Sequence, residues 1–232
     1  MHVSSQEPIF ENRYDAGRQL AAKLTGYKER SAVVLAIPNG GVSVALGVAL
    51  ALDAELDVVI SRKIPLPLSP EGGFGAVTDD GTIILNDEVV NSAGLSQQQI
   101  NYQVNQVRAG IRQRSLSYLS NRTPAVVGDK TVIIIDDGLA SGYTMMAAVE
   151  SVRQRHPQKI VAAVPAAPAA AVEKVKRVAD EVVTCAVGFM PRFYLSDFYK
   201  YWHEAADDEV AYCLKEWRMR RYQSKIEPLE SK

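Results

Sequence analysis

Two adjacent acids, Asp136 and Asp137, directly follow the apolar run Ile133–Ile135 and open a small-residue loop, Gly138-Leu139-Ala140-Ser141-Gly142-Tyr143-Thr144, that leads into a helical pattern. Neighbouring side chains on a strand point to opposite faces, so two adjacent carboxylates can serve one ligand where the strand gives way to a turn. Gly138 supplies that turn. A loop at a helix N-terminus offers unpaired backbone N–H groups and the positive end of the helix dipole, both suited to a phosphate. Ser141 and Thr144 add hydroxyls. There is no lysine between Gly138 and Arg153, so the loop lacks the Gly-Lys-Ser/Thr ending of a nucleoside triphosphatase. The expected ligand is a monophosphate next to a vicinal diol, two groups that a phosphorylated ribose combines. The plain alternative is that Asp136 and Asp137 cap the following helix and face solvent.

Two further segments could handle anions. Pro38-Asn39-Gly40-Gly41 stands between an apolar run and a helical pattern and can aim backbone amides at a charged group. Arg62 and Lys63 follow a second apolar run and adjoin a Pro/Gly-rich stretch, and two cations at the carboxyl end of a strand suit a charged leaving group. A strand-to-helix turn and a solvated edge are the corresponding alternatives. His2, His156 and His203 lack metal-ligand spacing. Cys185 and Cys213 have neither that spacing nor the density of a secreted disulfide scaffold, which fits a reducing cytoplasm.

The elements that must position these groups read as an α/β pattern. Tyr14 to Leu24 has helical spacing and ends near Gly26; Ala32 to Ile37 is a strand, Val42 to about Leu52 a helix, and Leu56 to Ile60 a strand. The order repeats with Thr131 to Ile135, Tyr143 to Arg155, Ile160 to Val164, Pro168 to Val178 and Glu181 to Val187. Continuous Val/Ile strands separated by helices predict an open parallel sheet flanked by helices. Between the halves, Ile64 to Gly81 reads as a loop in which Phe74 to Val77 pairs with Thr82 to Leu85 as a small flap, followed by a long polar helix from Leu95 to Leu119. The C-terminal part carries an aromatic cluster, Phe189 to Trp202, and a helix from about Asp208 to Tyr222. The expected organisation is one domain over 1–232, with a flap and helical insertion at about 64–128 and a C-terminal hood at about 189–232.

Composition narrows the partners. With 232 residues, 47% hydrophobic and 23% charged, the chain can bury a core unaided. Its 26 Lys+Arg against 27 Asp+Glu give a net charge of -1, which disfavours nucleic acid and polybasic membrane binding. The most apolar stretch, Val33 to Leu52, is broken by Pro38 to Gly41, and Glu7 and Glu11 interrupt the N-terminus, so neither export nor membrane insertion is expected.

The segment Ile133 to Thr144 closely resembles the phosphoribosyl-pyrophosphate signature of the type I phosphoribosyltransferases: apolar residues, two acids, two variable residues, then Ala/Thr-Thr/Ser-Gly-x-Thr. The blocks Asn12 to Leu20, Ala36 to Val42, Gly75 to Gly81 and Asp207 to Val210 look like those of a bacterial and archaeal branch of that family. The resemblance implies that Asp136 and Asp137 bond the ribose 2- and 3-hydroxyls, and that Gly138, Leu139, Ala140, Ser141, Gly142, Tyr143 and Thr144 hold the 5-phosphate. It makes Pro38, Asn39, Gly40 and Gly41 a pyrophosphate loop, often built around a non-proline cis peptide, in which relatives usually carry Arg or Lys where this chain has Asn39. Arg62 and Lys63 would stabilise the leaving pyrophosphate before a lid at Pro65 to Gly75, with Mg2+ bridging pyrophosphate and ribose oxygens. Phe193 or Tyr194 would stack on a nucleobase-like acceptor, the alternative being that the aromatic cluster forms a small hydrophobic core beneath the C-terminal helix, and a homodimer is expected. Three functions stay open: a transferase that releases pyrophosphate, a phosphoribosyl-pyrophosphate or nucleotide sensor without catalysis, and a non-catalytic oligomeric protein built on the aromatic cluster and the Leu95 to Leu119 helix.

Overall fold

The computed structural model describes residues 8–28, 31–119, 123–189 and 193–226. Along the chain run α1 (Arg13–Lys23), β1 (Ala32–Ala36), α2 (Gly40–Leu52), β2 (Glu55–Val58), β3 (Ser61–Leu66), β4 (Ser69–Thr78), β5 (Ile83–Leu85) and α3 (Asp87–Ser92). They are followed by α4 (Gln97–Leu119), β6 (Thr131–Ile135), α5 (Tyr143–Arg153), β7 (Lys159–Pro168), α6 (Ala169–Val175), β8 (Glu181–Gly188) and α7 (Asp207–Ile226).

The Val/Ile runs build a parallel five-stranded sheet in the order β2-β1-β6-β7-β8, flanked by helices as the sequence predicts. Alternation along each strand sends Val34, Ala36, Ile133 and Ile135 to one face beneath α1 and α2. Val33, Leu35, Val132 and Ile134 go to the other, beneath α5 and α6. β1 and β6 are buried on both faces, which is why they read as unbroken apolar runs. From β1 the chain passes outward to β2, and from β6 it passes the other way to β7, so strand order reverses between β1 and β6. Ala36 stands opposite Ile135 in that pair. The loops that follow the two strands therefore emerge side by side at the switch point, where open α/β sheets bind ligands.

The stretch predicted as a loop is more ordered than its composition suggests. β3, β4 and β5 form an antiparallel sheet with Lys63 opposite Ala76 and Ala76 opposite Ile84, so the predicted flap pairing is present and extends back through Ser61. Pro65 is tolerated because β3 is an edge strand and its register shifts at that residue. Burial of Phe74, Ala76 and Val77 anchors β4.

The two ends of the chain meet. Phe10 and Tyr199 form a parallel bridge, with the Phe10 amide donating to Phe198 at 2.9 Å and the Lys200 amide to Phe10 at 2.8 Å. Phe10, Ala16, Phe198 and Tyr199 make a small core beside the carboxyl end of the main sheet. No helix among the described residues is long and apolar enough to cross a membrane.

Candidate active site

β6 ends at Ile135 and delivers Asp136 and Asp137 to the switch point, where the Asp137 amide donates to Asp136 Oδ1 at 2.8 Å. The carboxyls border a cavity of about 370 Å³ that is also lined by Lys63 and Glu71 of the hairpin, the Gly138 to Gly142 loop, Thr144 and Leu195. Burial, and then the adjacent charge of Asp137, push the Asp136 carboxyl well above the usual carboxylate range.

The loop after the acids is folded for close approach. The Leu139 amide donates to Ala166 at 3.0 Å, and a Cβ at Gly138 would lie 2.9 Å from the same carbonyl. Gly142 caps α5 with φ 88°, a conformation that side chains disfavour, and the first-turn amides of α5 have no partner within the helix. Ser61 Oγ donates to the Thr144 carbonyl at 2.8 Å, fastening β3 to that turn. The Tyr143 ring turns the other way, with Lys174 Nζ 5.0 Å from its centroid.

The Pro38 to Gly41 loop lies beside the acids, and its Pro38–Asn39 peptide bond is cis. A Cβ on Gly41 would come within 2.7 Å of the Ile135 carbonyl, and one on Gly40 would fall inside the Asp137 carboxylate. Only glycine permits this packing. The Asn39 side chain, by contrast, is directed away from the acids. Its Nδ2 donates to the Ala205 carbonyl at 2.8 Å and to Asp207 Oδ1 at 3.0 Å, while its Oδ1 accepts from the Tyr118 hydroxyl at 3.0 Å. The single Tyr118 proton is shared between that oxygen and Asp207 Oδ1, 2.5 Å from the hydroxyl, and Arg114 Nε sits 3.4 Å from the same carboxylate. The Tyr118 hydrogen bond, with those from Asn39 and Arg114, holds the Asp207 carboxyl below its ordinary range despite some burial.

The two cations after β2 separate. Arg62 is half-buried, and burial followed by the nearby Arg114 charge lowers its pKa, while Tyr118, Asp207 and Asp136 oppose that shift. Lys63 is exposed and spans its own hairpin, donating to the Pro70 and Glu71 carbonyls at 3.0 and 2.8 Å. Neither aromatic proposed for the acceptor lines the cavity. Phe193 packs on Phe198 at 4.9 Å between ring centroids as part of the small core, Tyr194 is exposed, and Leu195 takes the place next to the loop.

Several site residues lie outside the sequence reading. Arg13 pairs with Asp137 Oδ2 at 2.8 Å across 124 residues, and Tyr199 donates to the Asp137 carbonyl at 2.6 Å. Arg13 lies in a block noted for its resemblance, but nothing in local spacing links it to β6. Among the described residues no group of three or more His, Cys, Asp or Glu side chains could hold a metal ion. A larger cleft of about 520 Å³ opens at the amino end of β6, lined by residues such as Lys130, Lys159 and Asp180. Lys159 and Asp180 are engaged there in ion pairs with Glu181 and Arg153.

Comparison with known proteins bears on the family and the fold. Residues 5–197 match the family model described as the phosphoribosyl transferase domain. Two Mycobacterium tuberculosis proteins, from strains CDC 1551 and H37Rv and each provisionally named a phosphoribosyl transferase, are 36% identical over 202 residues, covering 87% of this chain and 45% of theirs. The chain thus spans about half the length of these relatives. The crystal structure of TT1426 from Thermus thermophilus superposes with a TM-score of 0.74 at 36% identity, covering 90% of this chain and 98% of that one.

Proposed function

We propose that this chain, which belongs to the phosphoribosyl transferase domain family, transfers ribose 5-phosphate from phosphoribosyl pyrophosphate to a nitrogenous base and releases pyrophosphate. One observation carries the reading: two adjacent carboxylates and a helix-opening loop of small residues border one cavity at the switch point of the sheet. A ribose with its phosphate on the Ser141 to Thr144 loop and its diol on Asp136 and Asp137 would use both features together.

In this reading the acids accept hydrogen bonds from the ribose 2- and 3-hydroxyls, while the amides of Gly138 to Thr144 and the Ser141 and Thr144 hydroxyls hold the 5-phosphate. Breaking the bond from ribose C1 leaves an oxocarbenium-like sugar and a highly charged leaving group. Fixed charges and exclusion of water therefore matter more than a covalent nucleophile. Backbone amides of Gly40 and Gly41 face the leaving group, Arg62 supplies positive charge from β3, and the β3–β4 hairpin closes over the cavity. The protein's oxygen donors suit a hard cation but are too few to enclose one, so Mg2+ would be carried largely on substrate oxygens and water beside Asp136 and Asp137. Bound there, it would screen repulsion between the phosphates and the acid pair.

The acceptor in this reading is a nitrogenous base; Leu195 lines the cavity, which Phe193 and Tyr194 do not, and this supports Leu195 as its apolar contact. The expected homodimer is part of the same proposal, and Tyr102 and Leu116, exposed on α4, mark a surface on which to seek it. A binding-only sensor is the second reading, favoured by Asn39, which adds no charge to the loop and whose amide donates to the Ala205 carbonyl and the Asp207 carboxylate. The deciding experiment mixes the protein with phosphoribosyl pyrophosphate, Mg2+ and a panel of bases and reads released pyrophosphate. Release with one base supports the transferase; ligand binding without release from any base supports the sensor.

A further inference from the structure

The Arg13 guanidinium lies buried behind the acid pair and touches three parts of the molecule. Nε donates to Asp137 Oδ2 at 2.8 Å, Nη1 donates to the His203 carbonyl at 2.8 Å, and the planar face sits 4.1 Å from the centroid of the Trp202 ring. The side chain is 7% exposed and that of Asp137 15%. A Cβ built on Gly40 would come within 3.0 Å of Arg13 Nε, so the cation also backs the loop proposed to face pyrophosphate. Trp202 in turn packs on Tyr199, whose hydroxyl donates to the Asp137 carbonyl at 2.6 Å. Side chain and backbone of Asp137 are thus gripped by one assembly drawn from both ends of the chain.

A planar guanidinium that bonds through a single nitrogen leaves the second carboxylate oxygen outside the ion pair, while stacking on Trp202 and the bond to His203 fix its orientation. A salt bridge serving only stability could lie anywhere in the core. This one joins the proposed diol acid to the wall of the pyrophosphate loop. We infer that Arg13 is a positioning residue for the sugar subsite: it aims Asp137 at the ribose diol and holds that acid and the Gly40–Gly41 turn as one rigid unit. The inference rests on the phosphoribosyl reading of the site. It adds a residue from α1, and through Trp202 and His203 the C-terminal segment, to the machinery that recognises the sugar.

The test uses the full chain and two titrations, inorganic phosphate and ribose 5-phosphate, for wild type, Arg13→Gln and Arg13→Lys. Phosphate needs the Ser141 to Thr144 loop alone, whereas ribose 5-phosphate also needs the aimed acid. The expected result is that Arg13→Gln binds ribose 5-phosphate about tenfold or more weakly, the scale of a lost charged hydrogen bond, with phosphate binding unchanged. Arg13→Lys, which keeps a cation but not the planar fork, should recover part of the loss. Equal affinities of wild type and a folded Arg13→Gln for ribose 5-phosphate would overturn the inference. Loss of both ligands in proportion would also overturn it, because that is the signature of a general structural role. If Arg13→Gln does not fold, Arg13→Lys carries the same comparison, and wild-type affinity from it would be equally fatal. Failure of wild type to bind ribose 5-phosphate at all would instead strike the phosphoribosyl reading itself.

Discussion

Asn39 and Asp207 lie 168 residues apart in sequence and share a hydrogen bond of 3.0 Å, which ties the glycine loop after β1 to the first turn of α7. Tyr118 of α4 bonds to both partners, so three separated elements converge on one amide and one carboxylate. The residue at the position where the family resemblance implies a cation is thus a structural fastener here.

Asn39→Arg therefore has a different expected outcome from the one its sequence position suggests. By sequence alone, the added guanidinium would restore charge to the pyrophosphate loop. In the folded chain it would meet Asp207 first, compete with Arg114 for that carboxylate and displace the Asn39 bonds. Loss of these bonds should cost on the order of 1–3 kcal/mol of stability, with pyrophosphate affinity flat or lower. Urea unfolding and pyrophosphate titration check this; a gain in pyrophosphate affinity at unchanged stability would refute it.

Tyr118→Phe isolates the same fastener without adding charge. Removing the hydroxyl deletes the one proton that Asp207 and Asn39 share and should destabilise the chain by roughly 0.5–1.5 kcal/mol. Amide exchange in α7 and at Asn39 should quicken more than in β1 and β6. Uniform quickening across the sheet would show that Tyr118 supports the core at large.

The parallel sheet and the acid-bearing turn were legible because each is written locally. β-branched runs mark β1, β6 and β7, and Asp136-Asp137-Gly138 marks where β6 stops. The hairpin β3–β4 was hidden because its stability comes from burying Phe74 and Val77, whereas Pro65, Gly72 and Gly73 read as breakers. Arg13, Tyr118 and Asp207 were unreadable as site neighbours for another reason. Their partners are distant in sequence, and hydrogen bonds between α1, α4, α7 and the loops leave no period or spacing to detect. The aromatic cluster allowed either a stacking surface or a small core, and Phe193 packs against a local core.

Asp136 and Asp137, alike in sequence, should respond oppositely to amidation. Asp137→Asn leaves the buried Arg13 charge without its anion and should cost about 3–5 kcal/mol. Asp136 carries a carboxyl raised by burial and by Asp137, above an unfolded value of about 3.9. Between the unfolded and the folded values the native state binds the extra proton, so this group's contribution to stability is full in acid and is lost as pH rises through the folded value. Asp136→Asn removes that loss. Its stability relative to wild type should therefore improve from acid toward neutral pH, and parallel stability curves for the two proteins would contradict the assignment.

The last prediction concerns the hairpin over the cavity. Lys63 bonds the Pro70 and Glu71 carbonyls across the β3–β4 turn, and Glu71, Gly73 and Gly75 line the cavity on the same side. Leu68, at the tip of that turn, is 99% exposed, which makes the tip the natural place for a protease to cut. If the hairpin closes on pyrophosphate, phosphoribosyl pyrophosphate with Mg2+ should slow cleavage at the tip, whereas ribose 5-phosphate, which lacks the leaving group, should not. Lys63→Ala removes the two bonds that brace the turn, so cleavage without ligand should quicken and protection should shrink. Because the 5-phosphate in the proposed reading rests on the Ser141 to Thr144 loop and not on Lys63, ribose 5-phosphate affinity should hold while turnover falls. Identical cleavage rates with and without phosphoribosyl pyrophosphate, in wild type, would mark the hairpin as a fixed wall of the cavity, and Lys63 would keep only its bracing role.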